Sequence, residues 1–289
     1  MDSLVSIIIP TKNSEKFLEK CLDSIKNQTY QNIEIIVVDN NSTDRTKEIA
    51  KKFTDKVFNK GFERSAQVNF GVNKAKGEYI YYTGSDLSRD ADLIEQAVNK
   101  CKSENFDAVY LNVLTKIKNP NVWQKVRALE RKLYFKEPGM SAARFYKKNV
   151  FLKIGGLDEN LGSIGDDLEF QHRLNINGYK TAFIDAKENN LGEYKSLKTI
   201  ITRSLYYGWF IRGYIDKHPE KTKKQYRFIR KEFIENKNIL LKDKPLFITF
   251  LFYKIIQYIF GGIGLIISKV TKNNKKIEQL LFKLNYGKI

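Results

Sequence analysis

Two cysteines and two histidines are all that this 289-residue chain contains. Cys21 and Cys101 cannot make a disulfide framework, and with only His172 and His218 beside them they cannot complete a structural zinc site. No Gly-x-Gly-x-x-Gly follows the first predicted strand and no Walker sequence occurs, which argues against a dinucleotide-binding dehydrogenase and a P-loop ATPase. There is no internal repeat. The N-terminus, MDSLVSIIIP, has an acid at position 2 and no small-residue cleavage site, so its apolar run reads as a buried strand rather than a signal peptide. These features together predict a reducing, cytoplasm-facing location.

Acidic residues are short in one region only. The chain has 51 Lys+Arg against 33 Asp+Glu, a formal net charge of +18, and Lys195–Ile289 has 21 basic and 6 acidic residues. The last third therefore carries most of the excess. At 42% hydrophobic and 29% charged the composition is globular, which excludes a disordered tail, and the length suits one large domain with an appendage. A basic segment can meet nucleic acid, an acidic substrate or an anionic membrane. Its neighbour favours the membrane surface, because residues 246–267 read LFITFLFYKIIQYIFGGIGLII, with Lys254 and Gln257 as the strongly polar members. Roughly 20 apolar residues suffice to cross a bilayer. Lys254 near the middle would cost about 2.5–3.5 kcal/mol there, so an interfacial or re-entrant hairpin is expected, bending at Gly261, Gly262 and Gly264. A buried pair of core helices is the alternative.

The first half alternates strand and helix. Residues 4–9 form a buried strand ended by Pro10, a helical pattern runs over 14–27, and residues 33–38 make the next strand, with Ser42 or Thr43 capping the helix after it. Weak strand character follows at 56–58, a short helix at 66–75, and strands at 79–83 and 107–112. Such alternation predicts an α/β fold, a mainly parallel sheet flanked by helices, with ligands beyond the carboxyl ends of the strands. Pro10-Thr11-Lys12-Asn13, Asp39-Asn40-Asn41 and Gly84-Ser85-Asp86 all fall at such ends.

Four segments in order, VSIIIPTKNSEKFLEKCLDSIKNQTY, IEIIVVDNNSTDRT, NFGVNKAKGEYIYYTGSD and FLKIGGLDENLGSIGDDLEFQHRL, resemble the family 2 glycosyltransferases. They span roughly residues 4–175. The resemblance implies a GT-A fold and inverting transfer from a nucleotide-sugar donor, usually with Mg²⁺ or Mn²⁺. It matches Pro10 and Thr11 to strand-end positions lining the nucleotide, and Asp39 to a carboxylate accepting a hydrogen bond from the base. A uracil or guanine imino N–H suits an acceptor-only carboxylate, although Asp-Asn-Asn-Ser is also turn chemistry. Ser85 and Asp86 match the donor-binding and metal motif Asp-x-Asp, whose first acid is here Gly84. The histidine ligand that the family often adds is absent from Asn189-Asn190-Leu191-Gly192-Glu193. Arg64 and Lys60 are alternative partners for the diphosphate. Gly165-Asp166-Asp167 resembles the family's Glu-Asp pair, which makes Asp167 the general base and Asp166 its neighbour in the catalytic pair. The same acids would also suit a helix N-terminus. His172 is expected to pack or hydrogen-bond.

The expectation is a catalytic domain over 1–195 and a basic helical appendage over 196–289 that associates with the cytoplasmic face of the cell membrane. The acceptor is expected to be a lipid-linked glycan or polysaccharide, with no nucleic acid as partner. A polyprenyl-phosphate sugar synthase and a degenerate sugar-nucleotide-binding protein are the competing readings.

Overall fold

The computed structural model describes residues 2–61, 63–137, 141–161, 164–227, 230–271 and 274–286. The chain divides into two compact units, Met1–Lys116 with Lys136–Gly192, and Ile117–Phe135 with Glu193–Ile289. The first is α/β. Its elements are β1 (Val5–Thr11), α1 (Glu15–Lys26), β2 (Ile33–Asp39), α2 (Thr46–Lys51), β3 (Val57–Asn59), α3 (Arg64–Lys74), β4 (Tyr79–Tyr82), β5 (Leu87–Arg89), α4 (Leu93–Ser103) and β6 (Ala108–Thr115). The chain leaves for α5 (Val122–Leu133) and returns through β7 (Ala143–Lys147), α6 (Lys148–Ile154), α7 (Asp166–Ile176) and β8 (Thr181–Asn190).

The eight strands form one sheet in the order β3-β2-β1-β4-β7-β6-β8-β5. Pairs among β3, β2, β1 and β4 are parallel, as is β6 with β8, while β7 runs antiparallel to both its neighbours and β5 to β8. Strands covered on both faces read as continuous apolar runs, and Val5, Ile7, Ile8 and Ile9 have no exposed surface. Their side chains alternate between two cores. Ile7 and Ile9 join Leu18, Leu22 and Val98 on one face, and Ile8 joins Val68, Val72 and Phe170 on the other.

The register brings the strand ends level, with Thr11 opposite Asp39 and Asp39 opposite Asn59. β1 continues past Pro10, where the sequence predicted its end. Its pairing with β4 stops at Ile8, and the backbone positions of Ile8 and Pro10 face that same side, so the missing N–H deprives no partner. The cap expected at Ser42 or Thr43 is also displaced. Ser42 is committed to Asp39, and Asp44 accepts from the Thr46 N–H and hydroxyl at the start of α2.

The second unit is helical. Asn121 and Gln124 form a reciprocal capping box on α5, which places Val126, Leu129 and Leu133 in a core. The other helices are α8 (Leu197–Phe210), α9 (Arg212–Lys217), α10 (Pro219–Gln225), α11 (Lys231–Glu235), α12 (Lys237–Leu241), α13 (Lys244–Val270) and α14 (Lys275–Tyr286). This unit holds 26 basic and 8 acidic residues, so the whole excess of +18 belongs to it and the first unit is formally neutral.

The hairpin predicted within 246–267 does not form. Asp243 accepts from the Leu246 N–H at 3.0 Å, Pro245 occupies the first turn, and α13 then runs unbroken through Gly261, Gly262 and Gly264. Gly261 and Gly264 meet α8 rather than bend the chain, and Gly262 faces open space. Lys254, whose charge argued for the hairpin, is buried against α5, with Nζ 3.0 Å from Glu130 Oε1.

Candidate active site

Three loops converge at the carboxyl ends of β1, β2 and β4, the side of an open parallel sheet where ligands bind. Asp39 ends β2 fully buried. Its Oδ1 accepts from the Thr11 hydroxyl at 2.9 Å and the Ser42 hydroxyl at 2.5 Å, and its Oδ2 from the Ser42 N–H at 2.7 Å. A carboxylate has about four acceptor positions, so three protein donors leave room for one more. The turn reading of Asp39 thus describes its present bonds, and a base-binding role would use the remaining one. Pro10 sits half-buried in β1 just before Thr11. The loop after β4 is tied to the loop after β1, because the Ser85 hydroxyl donates to the Ser14 Oγ at 2.9 Å.

Asp86 follows in that loop. Its Oδ2 lies 3.5 Å from the Asn190 Nδ2, and its backbone carbonyl accepts from the Leu191 N–H at 2.9 Å. A Cβ added at Gly84 would fall 2.8 Å from Asp86 Oδ1. The missing side chain at 84 is therefore space that the Asp86 carboxylate approaches.

The second acidic pair opens α7. Gly165 adopts φ +85°, a left-handed conformation that glycine tolerates without strain, and so turns the chain into the helix with Asp166 and Asp167 in its first turn. Asp166 is fully buried, accepting from the Ser65 hydroxyl at 2.8 Å and pairing with the Arg64 guanidinium. Asp167 keeps about a third of its side chain exposed (32%) and lies 3.9 Å from the same guanidinium. Burial raises its carboxyl above the usual carboxylate range, the charge of Asp166 adds to this, and Arg64 and Arg144 oppose it. Arg64, an alternative diphosphate partner by sequence, pairs with Asp166 and reaches towards Asp167. Lys60 is exposed, and its N–H continues the ladder to the Asp39 carbonyl.

Helix α3 joins these parts, a role the sequence did not disclose. Gln67 Nε2 donates to the Thr11 carbonyl at 3.1 Å and the Val38 carbonyl at 2.6 Å, behind the donor-side loops. Asn69 bonds both the N–H and the carbonyl of Leu157, each at 2.9 Å, next to the Gly155-Gly156 turn. Arg173, on α7, donates to the Gly156 carbonyl at 2.7 Å and pairs with Glu169. Beneath β4, the fully buried Glu188 accepts from the Tyr81 and Thr83 hydroxyls, each at 2.6 Å, and from Arg144.

The sequence pattern described as Glycosyl transferase family 2 matches residues 6–156, just over half of the chain. The chain belongs to that family. This family 2 member is similar to glycosyltransferase GlyA of Streptococcus pneumoniae, at 27% identity over 235 residues, covering 72% of this chain and 33% of that protein. It is also similar to a cholesterol galactosyltransferase of Borreliella burgdorferi, at 35% identity over 111 residues, covering 36% of this chain and 31% of that one. The chain thus spans about a third of the length of these curated relatives. Its fold is similar to that of the mannosyltransferase PcManGT from Pyrobaculum calidifontis in complex with GDP-Man and Mn²⁺, with a TM-score of 0.56 at 16% identity, covering 99% of this chain and 85% of that one.

The family implies a divalent metal, and the residues fit one in a reduced form. No cluster of three or more acidic, histidine or cysteine ligands exists among the described residues. Hard cations nonetheless bind through one carboxylate completed by substrate phosphates. Asp86 would supply that carboxylate in the space left by Gly84, beside the amide of Asn190 where a histidine was expected.

Proposed function

We propose that this family 2 glycosyltransferase moves a hexose from a nucleotide-sugar donor, with inversion, onto a hydroxyl of a lipid-linked acceptor at the cytoplasmic face of the membrane. One observation carries the chemistry. Asp167 is a partly exposed carboxylate with a raised pKa, fixed at a helix start by a buried, charge-paired neighbour. A base poised nearer to neutral pH is what abstraction of a hydroxyl proton needs. In the reaction the acceptor oxygen forms a bond to the anomeric carbon as the bond from that carbon to the diphosphate oxygen breaks. The hydroxyl proton passes to Asp167, and the nucleoside diphosphate leaves from the opposite face. Thr11, Asp39, Ser85 and Asp86 hold the donor, with Pro10 shaping the strand end beneath it. A bound Mg²⁺ or Mn²⁺ would neutralise the leaving diphosphate.

The lipid-linked acceptor is supported by the basic second unit, and by the similarity to an enzyme named for transfer to cholesterol, itself a lipid. Cys21 and Cys101 are both buried free thiols, in keeping with a reducing compartment. The test is Asp167→Asn, assayed with radiolabelled donor on membranes. Turnover falls about 10²–10⁴-fold while donor binding persists. Wild-type turnover in the Asn variant would point to a phosphate acceptor, which needs less of a base. Gly84 favours a second reading, a binding protein without turnover, and any donor-dependent transfer by the wild type excludes it.

A further inference from the structure

Helix α13 is apolar on its exposed side and mixed on its buried one. Its buried face sets Tyr253, Lys254 and Ser268 beside Phe250 and Ile256, while Ile248, Phe252, Ile255, Ile259, Ile266 and Val270 point outward with 45–74% of their surface exposed. Those six recur every three, four or seven residues and so lie along one side of the helix. A helix facing water has the reverse arrangement. Exposed Ile234 and Leu241, with Leu251, extend the apolar surface into a cleft of about 240 Å³ beside α11 and α12.

The packing of α13 on α8 points the same way. A Cβ at Gly208 would fall 1.9 Å from the Gly261 carbonyl oxygen, and one at Gly264 would fall 2.2 Å from that of Leu205. The backbones touch through Gly208 on one helix and Gly261 and Gly264 on the other. Close approach through small residues is how helices associate where no water remains to be expelled.

We infer that α13 lies along the interface of an anionic leaflet, its outward stripe among the acyl chains, and does not cross the bilayer. This deepens the membrane-face reading above and rests on it. The unit holding α13 has 26 basic and 8 acidic residues, which selects an anionic lipid surface rather than a second copy of an equally basic chain. A transbilayer placement conflicts with what covers the inner face. Lys254 Nζ lies 3.0 Å from Glu130 Oε1 and 2.7 Å from Gln257 Oε1, and the Tyr253 hydroxyl donates to Glu130 Oε2 at 3.0 Å. Arg127 joins Glu130 to Glu193. This network sits on α5, which pairs with Lys254 through Glu130 and also carries the exposed Lys125 and Lys132. Crossing would carry those ammonium groups into hydrocarbon.

The experiment uses full-length Ile248→Cys, Ile255→Cys, Ile259→Cys and Val270→Cys, each carrying an environment-sensitive NBD probe, with vesicles of equimolar phosphatidylglycerol and phosphatidylcholine. Brominated lipids report depth. Expected are blue-shifted emission at all four sites and uniform quenching, strongest with bromines near the glycerol end of the chain. Deep quenching at Ile255 and Ile259 with shallow quenching at the two ends would mean a spanning helix and overturn the inference. A blue shift without vesicles that grows with protein concentration would assign the stripe to a second copy, and would also overturn it. Vesicle binding with unchanged probes would defeat the inference but leave the membrane-face reading intact, whereas absence of vesicle binding would defeat both. Ile255→Glu with Ile259→Glu supplies a second readout, lowering partitioning onto the vesicles at least about tenfold while donor binding persists. Unchanged partitioning of that variant would overturn the proposal.

Discussion

The two units solve opposite problems with the same amino acids. The first is formally neutral, closes its apolar strands between two helical layers, and leaves its few buried charges to serve the sheet ends. The second carries the entire net charge, buries a lysine against a glutamate, and turns a stripe of isoleucines on α13 outward. Hydrophobicity alone does not distinguish a core from a contact surface. The direction in which the polar residues of an apolar helix point does.

The variant expected to disturb this contrast most is Glu130→Gln. Burial alone would raise the Glu130 carboxyl, but Lys254 and Arg127 lower it to about 2. Removing one member of a buried pair costs about 3–5 kcal/mol, since the other charge stays buried without compensation. Hydrogen exchange should then show lost amide protection in the second unit and little change in the first. Glu130→Gln combined with Lys254→Met should recover much of it. Equal loss in both units would break the comparison. The lowered pKa also fixes the pH sign. The Glu130 contribution is present above its unfolded value and is lost as pH falls towards about 2.

A smaller effect sharpens the account of the first unit. Asp86→Ala should weaken binding of a nucleoside diphosphate donor about tenfold and leave nucleoside binding nearly unchanged, as titration calorimetry would read, because its contribution is to the phosphates. Equal weakening of both ligands would place Asp86 at the base or ribose instead.

The smallest effect on activity is a shift along the pH axis, read on the folded variant because buried Asp166 also loses its partner. Arg64→Gln removes a charge that opposes the raised pKa of Asp167. The base works as the carboxylate, so activity falls as pH drops through that pKa. The acid limb of kcat should therefore move upward, by less than about one pH unit. Stability runs the other way, the contribution of Asp167 being present below its unfolded pKa and lost as pH rises through the folded one. An unmoved limb would free Arg64 from any part in tuning the base.

Much of the first unit was legible because β1 and β2 are continuous apolar runs and their loops carry distinctive acids. The bonds from Thr46 to Asp44 at the start of α2 were not, since several neighbouring residues can each serve a helix start and the choice depends on which is already bound to Asp39. Ser65, Gln67 and Asn69 escaped because polar residues on a short helix read equally well as a solvated face. In the second unit, length and hydropathy found α13 but could not say which way Lys254 points. That direction is set by Glu130, 124 positions earlier. The box Asn121-x-x-Gln124 was the local sign that α5 begins there.

Sheet order has a consequence for synthesis. β4 pairs with β1 on one side, but its other neighbour, β7, lies beyond α5 in the chain, and β5 pairs with β8, the last strand to be made. A ribosome releasing this chain therefore exposes a half-finished sheet whose open rim is the mature molecule's middle. Arg64 and Asp166, 102 residues apart, meet only once that rim is closed. The acidic pair of the reactive end is thus made late, before only β8 among the strands, and unpaired strand edges invite misassociation until the sheet is complete.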